Sequence, residues 1–80
     1  MLDARTLNRL NNIANDSTGQ IDEDARFVAL QILELSEHPD LVEIKELIAY
    51  TYTKSRSSLG PEWIDLHGFL KMLARSLGHG

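Results

Sequence analysis

The chain has 80 residues, 42 % of them hydrophobic, and its formal net charge at pH 7 is −4. That length predicts one small domain, and the hydrophobic fraction is too high for a disordered chain. The absence of cysteine excludes disulfides, thiolate zinc sites and cysteine nucleophiles. The first residues lack the apolar core of a signal peptide, and no apolar run reaches the roughly 20 residues of a membrane span. We therefore expect a cytoplasmic protein.

The first predicted helix spans residues 3–14. Asp3 is a favourable N-cap for it. Apolar residues then recur at every third position and form one narrow stripe: Leu7, Leu10 and Ile13. Residues 15–20 read as a turn, because their side chains favour local hydrogen bonds and Gly19 can adopt a positive φ.

The second predicted helix spans residues 22–37. It begins with three acidic residues, which suit the positive end of the helix dipole. The positions from Ala25 to Leu35 are apolar almost all round, as in a helix at the middle of a bundle. We therefore expect this helix to be central. Only one strip of it should reach water: Glu23, Arg26, Glu34 and Glu37.

Prolines mark the next two boundaries. Pro39 ends the second helix, and Asp40 with Glu43 forms a capping-box pattern for a third helix over residues 40–54. Pro61 suits the first turn of a fourth helix over residues 61–77. Gly68 inside that helix costs roughly 1 kcal/mol relative to alanine, which indicates close approach by another helix. The sequence therefore predicts an all-α, bundle-like domain of four helices.

Acidic and basic residues are distributed unevenly along the chain. Residues 22–46 hold eight acidic residues against Arg26 and Lys45, a net charge of −6, whereas the remainder carries +2. An acidic surface repels phosphate and attracts basic protein surfaces, which argues against nucleic acid as a partner. The alternative explanation of the acidic charge is a solvated surface without a partner, which keeps the protein soluble. The predicted acidic face consists of Glu34, Glu37, Asp40, Glu43 and Glu46.

The polar residues form no catalytic pattern. There is no Gly-x-Ser-x-Gly, no His-Glu-x-x-His and no phosphate-binding glycine loop. Residues 16–22 resemble the middle of an EF-hand loop with Gly19 at its sixth position. Ala14 and Ala25 would then occupy its first and last ligand positions, so the bidentate glutamate is missing. We therefore expect no enzyme, no cofactor and no metal ligand.

Residues 22–39 resemble the second helix of the colicin-nuclease immunity proteins. These are acidic four-helix proteins of similar length, and their corresponding helix ends in a similar Glu-His-Pro. The resemblance implies that Glu23, Glu34 and Glu37 bind a basic nuclease. The adjacent tyrosine pair of that family is absent, because Tyr50 and Tyr52 are separated by one residue.

Three functions remain open from the sequence. The first is a non-catalytic inhibitor or regulator, immunity-protein-like or from a phage or mobile element, whose acidic face binds a basic protein. The second is a self-associating structural module, a possible homodimer, that uses an apolar edge of the fourth helix. That edge consists of Trp63, Phe69 and Met72, which also fit a place in the core. The third is a helix-turn-helix DNA-binding regulator, with Lys71 and Arg75 facing DNA.

Overall fold

The computed structural model describes residues 2–57 and 60–78 and shows four helices in them. The helices are α1 (Ala4–Ala14), α2 (Glu23–Glu37), α3 (Leu41–Ser57) and α4 (Pro61–Ser76). The all-α, four-helix fold is therefore confirmed. The largest difference from the predicted bounds is at α3, which ends at Ser57 and not at residue 54. None of the helices in the described residues is long and apolar enough to cross a membrane.

Local sequence signals account for the helix boundaries. Each of the first three helices begins directly after an aspartate whose carboxylate accepts a hydrogen bond from a backbone N–H of the first turn: Asp3, Asp22 and Asp40. His38, which precedes Pro39, has φ −129° and ψ 78° and is outside the helical region. Pro61 occupies the first turn of α4, where its missing N–H costs nothing.

The helices pack as two pairs. α1 packs on α2, α3 packs on α4, and α2 and α4 contact each other as the inner pair. α1 and α3 do not contact each other within the described residues. The core between the helices consists of fully buried apolar side chains, including Leu10, Ile13, Ala29, Ile32, Ile44, Trp63, Leu66 and Leu70.

α2 contacts all three other helices, as expected of a central helix, but α4 does so too. The expectation that α2 is buried almost all round is wrong. Phe27 is 60 % exposed and Leu30 is 50 % exposed. With only four helices, an inner helix keeps one side without a neighbour, and on α2 that side includes two large apolar residues.

The close approach expected at Gly68 is also wrong. A Cβ added at Gly68 would meet no atom of the described residues within 4 Å. Gly68 therefore lies on a side of α4 that no neighbouring helix covers, and its lack of a side chain is not required by packing inside the fold.

Candidate protein-binding face

The uncovered side of α2 is a stripe of five exposed residues, which we call the α2 face: Glu23, Phe27, Leu30, Glu34 and Glu37. Their spacings of four, three, four and three residues place them on one side of the helix. The stripe has two large apolar side chains at its centre. One carboxylate precedes them, and two follow.

Phe27 and Leu30 supply apolar area that a partner can bury. Burying a large apolar side chain completely contributes about 1.5–3 kcal/mol. Phe27 is 60 % exposed and Leu30 is 50 % exposed, so roughly half of that gain, about 1 kcal/mol for each, is left for a bound partner. An apolar centre with charged residues around it is the usual composition of a protein interface.

A groove of about 360 Å³ runs between α2 and α3, beside the α2 face. Its lining combines apolar and polar side chains: Asp24, Phe27, Val28, Gln31, Leu47 and Tyr50. Because Phe27 belongs to both the groove and the α2 face, the two form one continuous surface. A partner seated on the α2 face could therefore also insert a side chain between the two helices.

A cluster of aromatic and charged residues holds the α3 wall of this groove. The hydroxyl of Tyr50 donates a hydrogen bond to Oδ2 of Asp24 at 3.4 Å. Nζ of Lys54 lies 3.7 Å from the same oxygen and 5.6 Å from the centroid of the Trp63 ring. These contacts tie the first turn of α2 to α3 and α4. They also compensate the charge of Asp24, which is therefore less available to a partner than the carboxylates of the α2 face.

The five residues of the predicted acidic face have different environments. Glu34 and Glu37 are exposed on the α2 face, and Glu46 is exposed on α3. Glu43 is half-buried. Asp40 is exposed, but its Oδ1 accepts hydrogen bonds from the backbone N–H groups at the start of α3, 3.1 Å and 3.3 Å away. The structure thus gives Asp40 a capping role and brings Glu34 and Glu37 together with apolar residues.

Sequence reasoning missed Phe27 and Leu30 as surface residues. Both lie on the strip between Glu23 and Glu34 that the sequence predicts to reach water. The helical spacing therefore contained the signal, but the apolar character of the two residues was taken as evidence for burial.

The predicted apolar edge of α4 is only partly at the surface. Trp63 is fully buried and contacts Tyr50, so its expected place on an exposed edge of α4 is wrong. Phe69 is half-buried and packs against the core. Met72 is 43 % exposed, and Ile64, which the sequence did not single out, is 63 % exposed.

His67 of α4 is engaged in structural contacts with α3. Nδ1 of His67 lies 3.0 Å from the hydroxyl of the buried Thr51, and its ring is 5.8 Å from that of Tyr52. Within the described ranges, no three histidine, aspartate or glutamate residues are grouped so as to hold a metal ion.

Comparison of the chain with protein-family models, curated proteins and solved structures finds no match. The inference of function therefore rests on the geometry of the surface.

Proposed function

We propose that this protein is a non-catalytic inhibitor or regulator that binds a partner with a basic surface through the α2 face. The observation that carries the proposal is the exposure of Phe27 and Leu30, 60 % and 50 %, between Glu23 and the pair Glu34 and Glu37. The apolar centre supplies affinity, because desolvated apolar anchors dominate binding energy. The carboxylates speed encounter with a basic partner and disfavour acidic ones.

The alternative of a merely solvated surface accounts less well for α2. A solvated helix side needs charged and polar residues, as α1 has with the exposed Asn8 and Asn12. On α2 the exposed side has apolar residues at its centre, and they continue into the groove through Leu47 and Tyr50. Contiguous apolar surface with a charged rim is typical of an interaction site.

DNA binding is less well supported. α4 exposes two cations, Lys71 and Arg75, whereas DNA binding relies on neutralising many backbone phosphates with lysine and arginine. The surface of α4 therefore supports DNA binding less well than the α2 face supports binding of a basic protein.

The experiment compares the tagged wild-type chain with two variants that change the net charge equally. Glu34→Gln with Glu37→Gln neutralises the α2 face, and Asn8→Lys with Asn12→Lys adds the same positive charge on α1. Each is used to capture proteins from the native host, and the captured partner is then purified and its Kd measured directly.

We expect the α2 variant to raise the Kd about tenfold or more, and the α1 variant to leave it within about twofold of wild type. Wild-type binding should also weaken between about 50 and 300 mM salt. Equal binding by all three proteins, or binding that ignores salt, would show that the carboxylates of the α2 face do not select the partner. A partner surface without excess positive charge would contradict the proposal as well.

A second pair of variants tests the apolar centre. Phe27→Ser with Leu30→Ser should raise the Kd at least as much as the charge neutralisation, because it removes the groups that a partner buries. The salt dependence should persist, since the three carboxylates remain. Val42→Ser on α3, at a residue that is 67 % exposed, is the matched control and should leave the Kd unchanged.

A further inference from the structure

α4 has an uncovered side of the opposite charge. We call it the α4 face, and it consists of Ile64, Gly68, Lys71, Met72 and Arg75. Ile64 is 63 % exposed and Met72 is 43 % exposed, and both cations are exposed. The face thus combines apolar area with positive charge, whereas the α2 face combines apolar area with negative charge.

The two acidic residues of α4 do little to offset this positive charge. Oδ2 of Asp65 lies 3.0 Å from Nε of Arg9 and is neutralised by that ion pair. Glu62 is only 8 % exposed, so its carboxylate is not part of the surface of the α4 face. The α4 face is therefore a basic, partly apolar surface of the kind that the α2 face is proposed to bind.

We propose that the α4 face of one molecule docks on the α2 face of a second copy of this chain. The inference rests on the proposed function in one respect, because it uses the same α2 face, but it names the second copy as a basic partner. The argument for this occupant is charge complementarity together with matching apolar centres.

The spacing of the two stripes supports a parallel arrangement of the two helices. From Phe27 to Glu37 the α2 face covers about 15 Å, and from Ile64 to Arg75 the α4 face covers about 16 Å, at 1.5 Å per residue. One residue per turn follows each stripe in these spans, and Met72 lies beside Lys71 on the α4 face. The parallel register then pairs Phe27 with Ile64, Leu30 with Gly68, Glu34 with Lys71, and Glu37 with Arg75.

The antiparallel arrangement fits less well. It would place Glu34 and Glu37 against Gly68 and Ile64, and it would set the cations of α4 against the apolar residues of α2. Charged groups would then lose water without gaining a partner, which is costly. Two carboxylates follow the apolar centre of the α2 face and only Glu23 precedes it, so only the parallel direction pairs both cations of α4 with a carboxylate.

Gly68 leaves a gap in the α4 face, because it has no side chain. Among the residues that the structure describes, no atom lies within 4 Å of a Cβ at this position, so the α4 face has a gap on the turn that the register places opposite Leu30. A half-exposed leucine from the second copy can occupy this gap, and the two helix backbones can approach closely there. This gives Gly68 a role at the surface that packing inside the fold does not require.

The contact joins two different surfaces and is therefore heterologous. Each bound pair keeps one free α2 face and one free α4 face, so association continues to rings or chains instead of stopping at a symmetric dimer. Self-association would also occupy the α2 face and so compete with any other basic partner.

The first test measures the average mass of the purified full chain by light scattering. The concentration runs from about 20 µM to about 1 mM, at about 25 and 300 mM salt. We expect the average mass to rise steadily with concentration at low salt and to return to the monomer value at high salt. A monomer at the highest concentration in low salt overturns the proposal, as does a mass that does not depend on salt.

The second test exchanges charges. Glu34→Lys with Glu37→Lys, and separately Lys71→Glu with Arg75→Glu, should each leave the protein monomeric, because both faces of each variant then have the same sign. An equimolar mixture of the two variants should associate again, since the faces of one now complement those of the other. Failure of the mixture to associate overturns the proposed pairing.

The third test fills the gap at Gly68. Gly68→Gln adds an uncharged side chain and should weaken self-association about tenfold or more, while the thermal unfolding midpoint stays at or above that of wild type. Asn12→Gln on α1 is the control and should leave association unchanged. Unchanged association of Gly68→Gln overturns the register.

The outcomes separate this inference from the proposed function. A chain that stays monomeric, and yet loses its captured partner when Glu34 and Glu37 are neutralised, refutes only the self-association. A chain that associates as described, and yet binds its captured partner regardless of those residues, refutes only the proposed binding of a separate basic protein.

Discussion

The ring of Tyr50 meets the buried indole of Trp63 edge-on, with the ring centroids 5.9 Å apart and the ring planes at 73°. Nζ of Lys54 lies 5.7 Å from the centroid of Tyr50 and 5.6 Å from that of Trp63. An edge-on aromatic pair with a cation near both rings is a favourable arrangement. Tyr50 is 41 % exposed, so a core residue fixes the orientation of a side chain that lines the groove beside the α2 face.

Replacing Tyr50 by leucine tests this contact. Tyr50→Leu should lower the free energy of unfolding by about 1 kcal/mol, because the edge-on pair contributes about 0.5–1.5 kcal/mol beyond the apolar area that leucine retains. Urea denaturation followed by circular dichroism measures the loss. Val42→Ala is the control on the same helix, and it should stay within about 0.5 kcal/mol of wild type because Val42 is 67 % exposed. Equal stabilities for the two variants would show that the ring contact contributes nothing.

Two neighbouring residues of α2 should respond very differently to truncation. Ile32 is fully buried, whereas Leu30 is 50 % exposed. Ile32→Ala should lower the free energy of unfolding by about 2–5 kcal/mol, since it leaves a cavity in the core. Leu30→Ala should cost less than about 1 kcal/mol, because much of its surface is already in water. Denaturation in urea measures both losses, and similar losses would mean that α2 is covered on every side after all.

The helix boundaries were predictable because their causes are local. Asp3 caps α1 by accepting a hydrogen bond from the backbone N–H of Thr6, three residues further along the chain. Pro39 and Pro61 restrict the backbone whatever surrounds them. The exposure of Phe27 and Leu30 was not predictable in the same way. It depends on which side of α2 has no neighbouring helix, and packing between residues distant in sequence decides that.

The same reason separates Trp63 from its neighbour Ile64. Both are large and apolar, yet Trp63 is fully buried and Ile64 is 63 % exposed. The sequence left Trp63 open between the core and the apolar edge of α4, and only the packing of the other helices around it decides for the core. The positive charge of the α4 face could be predicted from the sequence. Its match to the α2 face could not, because it depends on which sides of α2 and α4 are exposed.

Gly68 offers a gain in stability. A Cβ at Gly68 meets no atom within 4 Å in the described part of the chain, and the residue lies inside α4. Gly68→Ala should raise the free energy of unfolding by up to about 1 kcal/mol, because alanine loses less backbone entropy in a helix. Thermal and urea denaturation check this. Gly19→Ala is the contrasting variant and should be destabilising, since Gly19 has φ +79°. A less stable Gly68→Ala protein would mean that a neighbour occupies the space beside Gly68.

Two aspartates, Asp3 and Asp16, make the free energy of unfolding depend on pH in the acid range. Hydrogen bonds from Thr6, its side chain first and its backbone N–H second, lower the pKa of Asp3 below 3.8. A hydrogen bond from the hydroxyl of Thr18, 2.8 Å from Oδ1, lowers the pKa of Asp16 in the same direction. Because the pKa is lower in the folded chain, ionisation favours folding. The contribution is complete above the unfolded value of 3.8 and is lost as the pH falls through the folded pKa.

Asp16→Asn isolates the part of this effect that belongs to the turn between α1 and α2. Asparagine keeps a side-chain oxygen that can accept from Thr18, but it does not titrate. The free energy of unfolding of the variant should therefore fall less steeply than that of wild type below about pH 4, where the unfolded chain binds the extra proton first. Urea denaturation at intervals of about one pH unit from about pH 6 to about pH 2 measures both slopes. Above about pH 5 the two curves should run parallel, and parallel curves over the whole range would show that the Asp16 carboxylate is not stabilised by folding.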